Sequence, residues 1–376
     1  MTVKYFTSST TGSGSQYLVT GGNGVYVAEG VTVGSTDDYG LSGTGSNDSF
    51  DIDGTVYGDL GGISLSAVDN ASVQIGANGV VSSDLIDGNA FDLLGFGGSI
   101  DNRGQIRGDT GLEIGGSSDV NLSNHGDIAT TGHAIHTAAG ATGSVQLINY
   151  GKIEGTGSFE STSAVQSDGK TVDAIVNLGI INGGLSLGDG KDYYNGVSSK
   201  AMDGGLALLL VAIGNTHEKI SSFVDAGAGD DQLIGGKYLD YFLGGSGNDS
   251  ISGGGGNDQL VGSAGADTIT GGSGGDQFSF SAASDSTHKK FDMIEDFSHK
   301  QHDKIVFGFD ANTATPATDK FKFIGTHQFS GQPGELRYEF HGGDTIVLGN
   351  IDNDKQAEFE LHLHGHIHLT QGDFDL

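Results

Sequence analysis

Six aspartates, Asp231, Asp240, Asp249, Asp258, Asp267 and Asp276, recur at intervals of nine residues in one segment of the chain. Two places after each stands a large apolar residue, in the series Leu233, Phe242, Ile251, Leu260, Ile269 and Phe278. The repeat runs without a slip from Ala226 to Ser279. Carboxylates at fixed spacing, framed by glycines that turn carbonyl oxygens inward, supply the all-oxygen shell of about six ligands that calcium prefers. The framing glycines are Gly227, Gly229, Gly245, Gly247, Gly254, Gly256, Gly265, Gly272 and Gly274. Without a cation, stacked carboxylates repel one another and glycine-rich turns gain little from ordering. Binding of several calcium ions and folding are therefore expected to be coupled.

These nonapeptides follow Gly-Gly-x-Gly-x-Asp-x-apolar-x and resemble the hemolysin-type calcium-binding repeats of the RTX family. The resemblance implies a parallel β-roll in which six residues turn, three form a strand, and two repeats complete a coil. Asp231, Asp249 and Asp267 would then line one edge, and Asp240, Asp258 and Asp276 the other. One unit departs from the pattern: Gly235-Gly236-Lys237-Tyr238-Leu239-Asp240 carries tyrosine in place of the third glycine. A half-repeat at Leu187-Gly188-Asp189-Gly190-Lys191-Asp192 adds Asp192 as a candidate ligand, and Gly43-Thr44-Gly45-Ser46-Asn47-Asp48 is a looser match with one residue inserted.

Beyond the roll come Phe291-Asp292-Met293-Ile294-Glu295-Asp296-Phe297, Asp303-Lys304-Ile305 and Phe329-Ser330-Gly331-Gln332-Pro333-Gly334-Glu335-Leu336-Arg337-Tyr338. This order resembles the C-terminal domain of serralysin-type metalloproteases. The resemblance implies a β-rich cap with an uncleaved signal for export by a type I secretion apparatus. Asp373-Phe374-Asp375-Leu376 looks like that family's acidic-then-apolar tail, with Asp375 where an apolar residue is usual. The protease chemistry is missing. A zinc protease of this kind needs His-Glu-x-x-His on a helix, and His217-Glu218 is followed by Lys219, Ile220 and Ser221.

The N-terminal half must supply any further activity, and it carries a looser repeat. Ile100 to Ile106, Leu122 to Ile128, Leu147 to Ile153 and Ile175 to Ile181 share apolar-x-Asn-x-Gly-x-Ile. Each unit reads as a strand, an Asn-x-Gly corner and a second strand, which suits a right-handed parallel β-helix rather than unrelated strands of a sandwich. The aliphatic residues would stack inward, the asparagines would form a ladder, and the glycine would permit the corner's backbone conformation. Ala77-Asn78-Gly79-Val80-Val81 looks like an earlier coil.

Composition bounds the rest. The 376 residues include 68 glycines, two prolines and no cysteine or tryptophan, and the net charge is −31. Such a chain repels phosphate, so nucleic acid and anionic membranes are disfavoured partners. The first residues, Met1 to Ser8, lack the apolar core of a signal peptide, and the apolar run Leu206 to Ile213 is too short to span a bilayer. Three other constellations invite chemistry. His362, His364, His366 and His368 alternate, which on a strand would place all four on one face, as a chelating or pH-sensitive row or as a solvated edge. Asp352-Asn353-Asp354 with Glu358 resembles a further calcium loop. Asp109, Glu113, Asp119 and Asp127, with His125, His133 and His136, fall in consecutive coils, where a carbohydrate-processing site would lie.

The expected fold is all-β: an N-terminal right-handed parallel β-helix over 1–200, with repeats clearest over 98–195, a connector at 201–225, a calcium β-roll over 226–279 and a cap over 280–376. A short helix is allowed within 200–223. The expected function is a secreted calcium-binding protein that meets an extracellular surface or matrix, the alternative being a secreted polysaccharide lyase, hydrolase or epimerase.

Overall fold

A computed structural model describes residues 2–83, 88–155, 163–196, 220–313 and 319–376. The apolar run at 206–213, the His217–Glu218 pair and most of the segment allowed a helix lie outside the described residues. Among the described residues regular structure is β-strand and two short 3-10 turns, and no helix is long and apolar enough to cross a membrane. The chain forms two compact units, Met1–His217 and Glu218–Leu376.

The N-terminal unit is a three-sided coil of parallel strands. Each circuit adds one strand to each side, so alternating residues point inward and stack on their equivalents one coil away. The first side begins with Val3–Phe6, Gly24–Val27 and Ser49–Ile52 and continues through Asp119–Asn124, Ser144–Asn149 and Val172–Asn177. The second runs from Thr10–Gly12 through Val80–Ser83 and Gln105–Gly108 to Ile180–Asn182. The third includes Tyr39–Gly43, Thr110–Gly115, Ile135–Thr137 and Val165–Ser167. Two long strands, Gly61–Ile75 and Asn89–Asn102, turn a corner without a break and serve both the third and first sides.

The asparagine ladder is present. Asn102 donates to Asn124 at 2.7 Å, Asn124 to Asn149 at 2.8 Å and Asn149 to Asn177 at 2.9 Å, all four fully buried. The coil structure starts well before residue 100, and Val80 and Val81 belong to it. Asn78 does not join the ladder: its exposed amide donates to Glu29 at 2.9 Å. The residues in register with the ladder in the earlier coils are Ile75, Ile52, Val27 and Phe6.

The corner glycines have a different physical cause from the one expected. None of Gly104, Gly126, Gly151 and Gly179 adopts positive φ. A Cβ at Gly126 would lie 2.2 Å from the carbonyl oxygen of Gly104, and one at Gly151 2.1 Å from that of Gly126. Close approach of stacked corners, rather than backbone freedom, requires glycine there.

In the C-terminal unit strands recur every half-coil. Gln232–Ile234 pairs with Ser250–Gly255 and that strand with Thr268–Ser273, in a register of 18 residues. Leu239–Gly247, Gln259–Gly265 and Gln277–Phe280 form the opposite side in the same register. The six apolar residues of the repeat are buried between them. Asp292–Ile294 and Lys304–Phe307 extend the two sides. An antiparallel meander, Glu335–His341, Asp344–Asn350 and Phe359–His364, then closes the unit over Phe280, Phe307, Phe359 and Phe374. Phe374–Asp375 pairs with the strand at Lys304–Phe307, so the terminal motif is part of the fold.

Candidate metal centre

The six repeat aspartates sit at the two edges of the roll with side chains at most 2% exposed. On one edge the backbone N–H of Asp231 donates to Oδ1 of Asp249, and that of Asp249 to Oδ1 of Asp267, both at 2.8 Å. On the other, Asp240 donates to Asp258 and Asp258 to Asp276, again at 2.8 Å. One carboxylate oxygen of Asp249, Asp258, Asp267 and Asp276 is thus fixed by the coil before it.

The second oxygen has a different fate. Oδ2 of Asp249, Asp267 and Asp276 is buried and accepts no hydrogen bond. It lies against the first glycine of its own turn: a Cβ at Gly244, Gly262 or Gly271 would come within 2.3–2.5 Å of it. These first glycines escaped the sequence reading, which singled out the second and fourth. Gly247, at φ +145°, shows why the fourth cannot be replaced: its Cβ would meet the carbonyl of Gly229 at 1.6 Å. Gly265, at ordinary φ, approaches the Gly247 carbonyl equally closely, while Ser263 itself takes up positive φ where a second glycine is usual.

Buried carboxylates without partners must shed charge or acquire a cation. Burial pushes Asp249, Asp267 and Asp276 up to about 6, with Asp267 and Asp285 adding repulsion at Asp249 and Asp267 respectively. The donor set is carboxylate and carbonyl oxygen with no nitrogen or sulfur, so it suits calcium rather than zinc. The residues fit the ion.

The ladders outrun the repeat. Asp267 N–H donates to Oδ1 of Asp292, and Asp276 N–H to Oδ1 of Asp303, at 2.9 and 3.0 Å. Oδ2 of Asp292 is buried without a hydrogen bond, and burial followed by the Asp267 charge pushes this group up to about 9. Asp296 accepts from the N–H groups of Gly271 and Gly272, both at 2.8 Å. The Asp-x-apolar pattern of Asp292 to Ile294 and Asp303 to Ile305 was the available signal for the two ladder residues.

In the departing turn, Oδ2 of Asp240 accepts from Gly236 N–H at 2.7 Å, so its second oxygen is engaged by backbone. The Lys237 ammonium lies 4.9 Å above the Tyr238 ring. Asp192 behaves like a repeat aspartate, buried and accepting from Asp173 N–H at 2.8 Å. Asp173, itself buried and accepting from Val145 N–H at 3.3 Å, was not singled out by sequence. Asp48 instead accepts from Gly22, Asn23 and Gly45 N–H groups, which closes its loop.

The remaining candidates separate. Carboxylate oxygens of Asp352, Asp354 and Glu358 lie within 4.8 Å of one another, yet each also accepts a backbone N–H of its own loop. The four histidines do not form one face. The strand ends at His364, and Gly365 at φ +92° turns the chain. His362 stacks on Phe291 and meets Glu360, His364 meets Asp344, and His366 and His368 lie against Phe340. Of the solenoid candidates, Glu113 and His136 come together at 2.7 Å, and Asp168 holds the other His136 nitrogen at 3.2 Å. His133 stacks on His136, whereas Asp109 and Asp119 are tied to Thr131 and Ser144. His125 stacks on Tyr150 on a different side of the coil, and Asp127 is exposed.

Residues 220–375 match the family model of the peptidase M10 serralysin C-terminal domain. The matched segment holds both aspartate ladders and the meander over them. Among solved structures, one similar chain is the AlgE6R3 subunit of the Azotobacter vinelandii mannuronan C5-epimerase, in solution, 25% identical over 40% of this chain and 80% of that one, with a TM-score of 0.30. No curated protein matched.

Proposed function

We propose that this protein is a secreted, calcium-loaded RTX protein that acts outside a bacterium by binding a cell surface or matrix. The single observation that carries the calcium reading is the set of buried, unpartnered Oδ2 oxygens of Asp249, Asp267 and Asp276, stacked against glycine turns. Calcium supplies the charge these oxygens lack. The metal residues are Asp231, Asp249, Asp258, Asp267 and Asp276 with their glycine carbonyls, Asp192 and the ladder residue Asp292; Asp240 belongs to a weak turn, and both oxygens of Asp303 are taken by backbone N–H groups. The match to the serralysin C-terminal model supports export by a type I apparatus. In this reading residues 1–200 hold the β-helix that meets the target and 280–376 the cap and export segment. The connector expected over 201–225 is shorter, since 201–219 lie outside the described residues and Ile220–Asp225 is a strand paired with Leu239–Gly247, so the roll begins there and runs to 279.

Calorimetry of the full chain with and without a chelator tests the reading. A site saturated a hundredfold above its dissociation constant contributes about 2.7 kcal/mol, so several sites raise the transition by tens of degrees. An unchanged melting profile after chelation would refute it.

A further inference from the structure

The first side of the N-terminal coil carries on its outer surface a groove of about 310 Å³. It crosses the strands Asp119–Asn124, Ser144–Asn149 and Val172–Asn177 between two columns of outward side chains. One column presents the amides of Asn121 and Gln146, in register on neighbouring strands. The other presents the Ser123 hydroxyl, then Ile148 and Val176. Beside it the Tyr150 ring, 45% exposed, stacks on His125 with centroids 4.6 Å apart and planes 12° from parallel.

Charge and hydrogen bonding narrow what can lie there. In a chain of net charge −31, the one charged side chain lining this groove is Asp101, and it is held by Arg103 at 3.0 Å and by His125 at 3.4 Å. The lane is locally neutral within an acidic molecule. A polyanion finds no uncommitted cation in it and meets the repulsion of the whole. A peptide strand adds to a sheet through a free edge, but the lane lies on the face of strands paired on both sides. Recognition must therefore use side chains alone. Amides and a hydroxyl that both donate and accept suit ligand hydroxyls, and an aromatic ring with aliphatic neighbours suits the C–H faces of a sugar. The amides recur at the strand spacing of about 4.8 Å, on the scale of one pyranose ring along a chain.

We propose that this lane binds a neutral, linear polysaccharide, laid across the coils with sugar rings against Tyr150 and Ile148 and hydroxyls on Asn121 and Gln146. The proposal rests on the reading of the N-terminal unit as the part that meets an extracellular target, and it does not depend on the metal assignment.

Affinity electrophoresis of the calcium-loaded full chain tests it, in gels cast with hydroxyethyl cellulose, galactomannan or dextran and, in parallel, alginate or polygalacturonate. At least one neutral polymer is expected to retard the protein. Tyr150→Ala, and separately the pair Asn121→Ala with Gln146→Ala, should each weaken retardation at least tenfold. Ile148→Asp should do the same by placing a charge in the lane, while Gln166→Ala on another side leaves retardation unchanged. Thermal transitions identify any variant that fails to fold, and the exposed Tyr150 and Ile148 variants keep the test open in that case. Retardation by no neutral polymer, retardation by uronates alone, or equal retardation of every folded lane variant overturns the proposal. If the roll still melts in a calcium-dependent way, that failure leaves the calcium reading intact.

Discussion

Tyr238 is the residue at which the roll departs from its own rule. Where neighbouring turns carry glycine at this place, it brings a ring that the Lys237 ammonium covers, and Asp240 turns its second oxygen to Gly236 N–H. Tyr238→Gly restores the repeat. By calcium titration with isothermal calorimetry the variant is expected to bind one more ion per molecule than the parent; an unchanged stoichiometry would show that the turn already holds one. A second single-residue effect belongs to His136. Its hydrogen bond to Glu113 is the largest cause, followed after opposing burial by that to Asp168, of a pKa raised from 6.5 to about 8. A histidine with a raised folded-state pKa stabilises the protein fully below its unfolded value and loses that contribution as pH rises through the folded one. The wild-type melting temperature of the N-terminal unit should therefore fall between pH 7 and 9, by the equivalent of about 1–2 kcal/mol after allowance for solvent screening. His136→Gln should flatten that fall, and equal slopes for the two proteins would count against the clamp.

At the scale of elements, the ladder of asparagines is the device that sets coil on coil. Asn149 both accepts from Asn124 and donates to Asn177. Asn149→Leu removes the two short ladder bonds, leaves Asn124 on the longer bonds to the Gly126 and Lys152 carbonyls and Asn177 on the Gly179 N–H, and puts an apolar side chain into a buried polar column. Each buried bond lost costs about 1–3 kcal/mol. A loss of about 2–5 kcal/mol in denaturant unfolding is expected, against less than about 0.5 kcal/mol for the exposed Asn78→Ala; comparable losses would mean that the ladder contributes no more than surface contacts. The same element shows what the sequence could and could not reveal. The four Asn-x-Gly corners were legible because one side chain repeats at each. The earlier coils were not, since Phe6, Val27, Ile52 and Ile75 fill that position with ordinary core residues. In the roll, strict nine-residue spacing exposed six rungs, but the segments before Asp292 and Asp303 lengthen the step to 25 and 27 residues and hide the next two. The histidine row misled for the opposite reason: alternation in sequence mimics a strand face, and only the turn at Gly365 shows that the strand has ended.

Over the whole molecule, an excess of 31 negative charges opposes compaction, and the roll concentrates part of that excess in its interior. Without a cation, burial pushes Asp249, Asp267 and Asp276 up to about 6 in the folded state and Asp292 up to about 9, all above the ordinary carboxylate value. The folded protein then binds more protons than the unfolded chain from pH 4 upward, so its stability must decline as pH rises. Each of the three groups near 6 costs roughly 3 kcal/mol at neutral pH. With calcium bound the carboxylates are already ionised and protons compete with the ion, which reverses the slope. Calorimetry of the desalted protein from pH 4.5 to 7.5 is expected to show the C-terminal transition falling with pH, and in millimolar calcium the same transition rising. Parallel curves would mean that these carboxylates do not share a cation. Opposite slopes would give a protein that orders its roll only where calcium is abundant and protons are scarce, and so would tie the buried chemistry of the edges to the extracellular setting proposed for it.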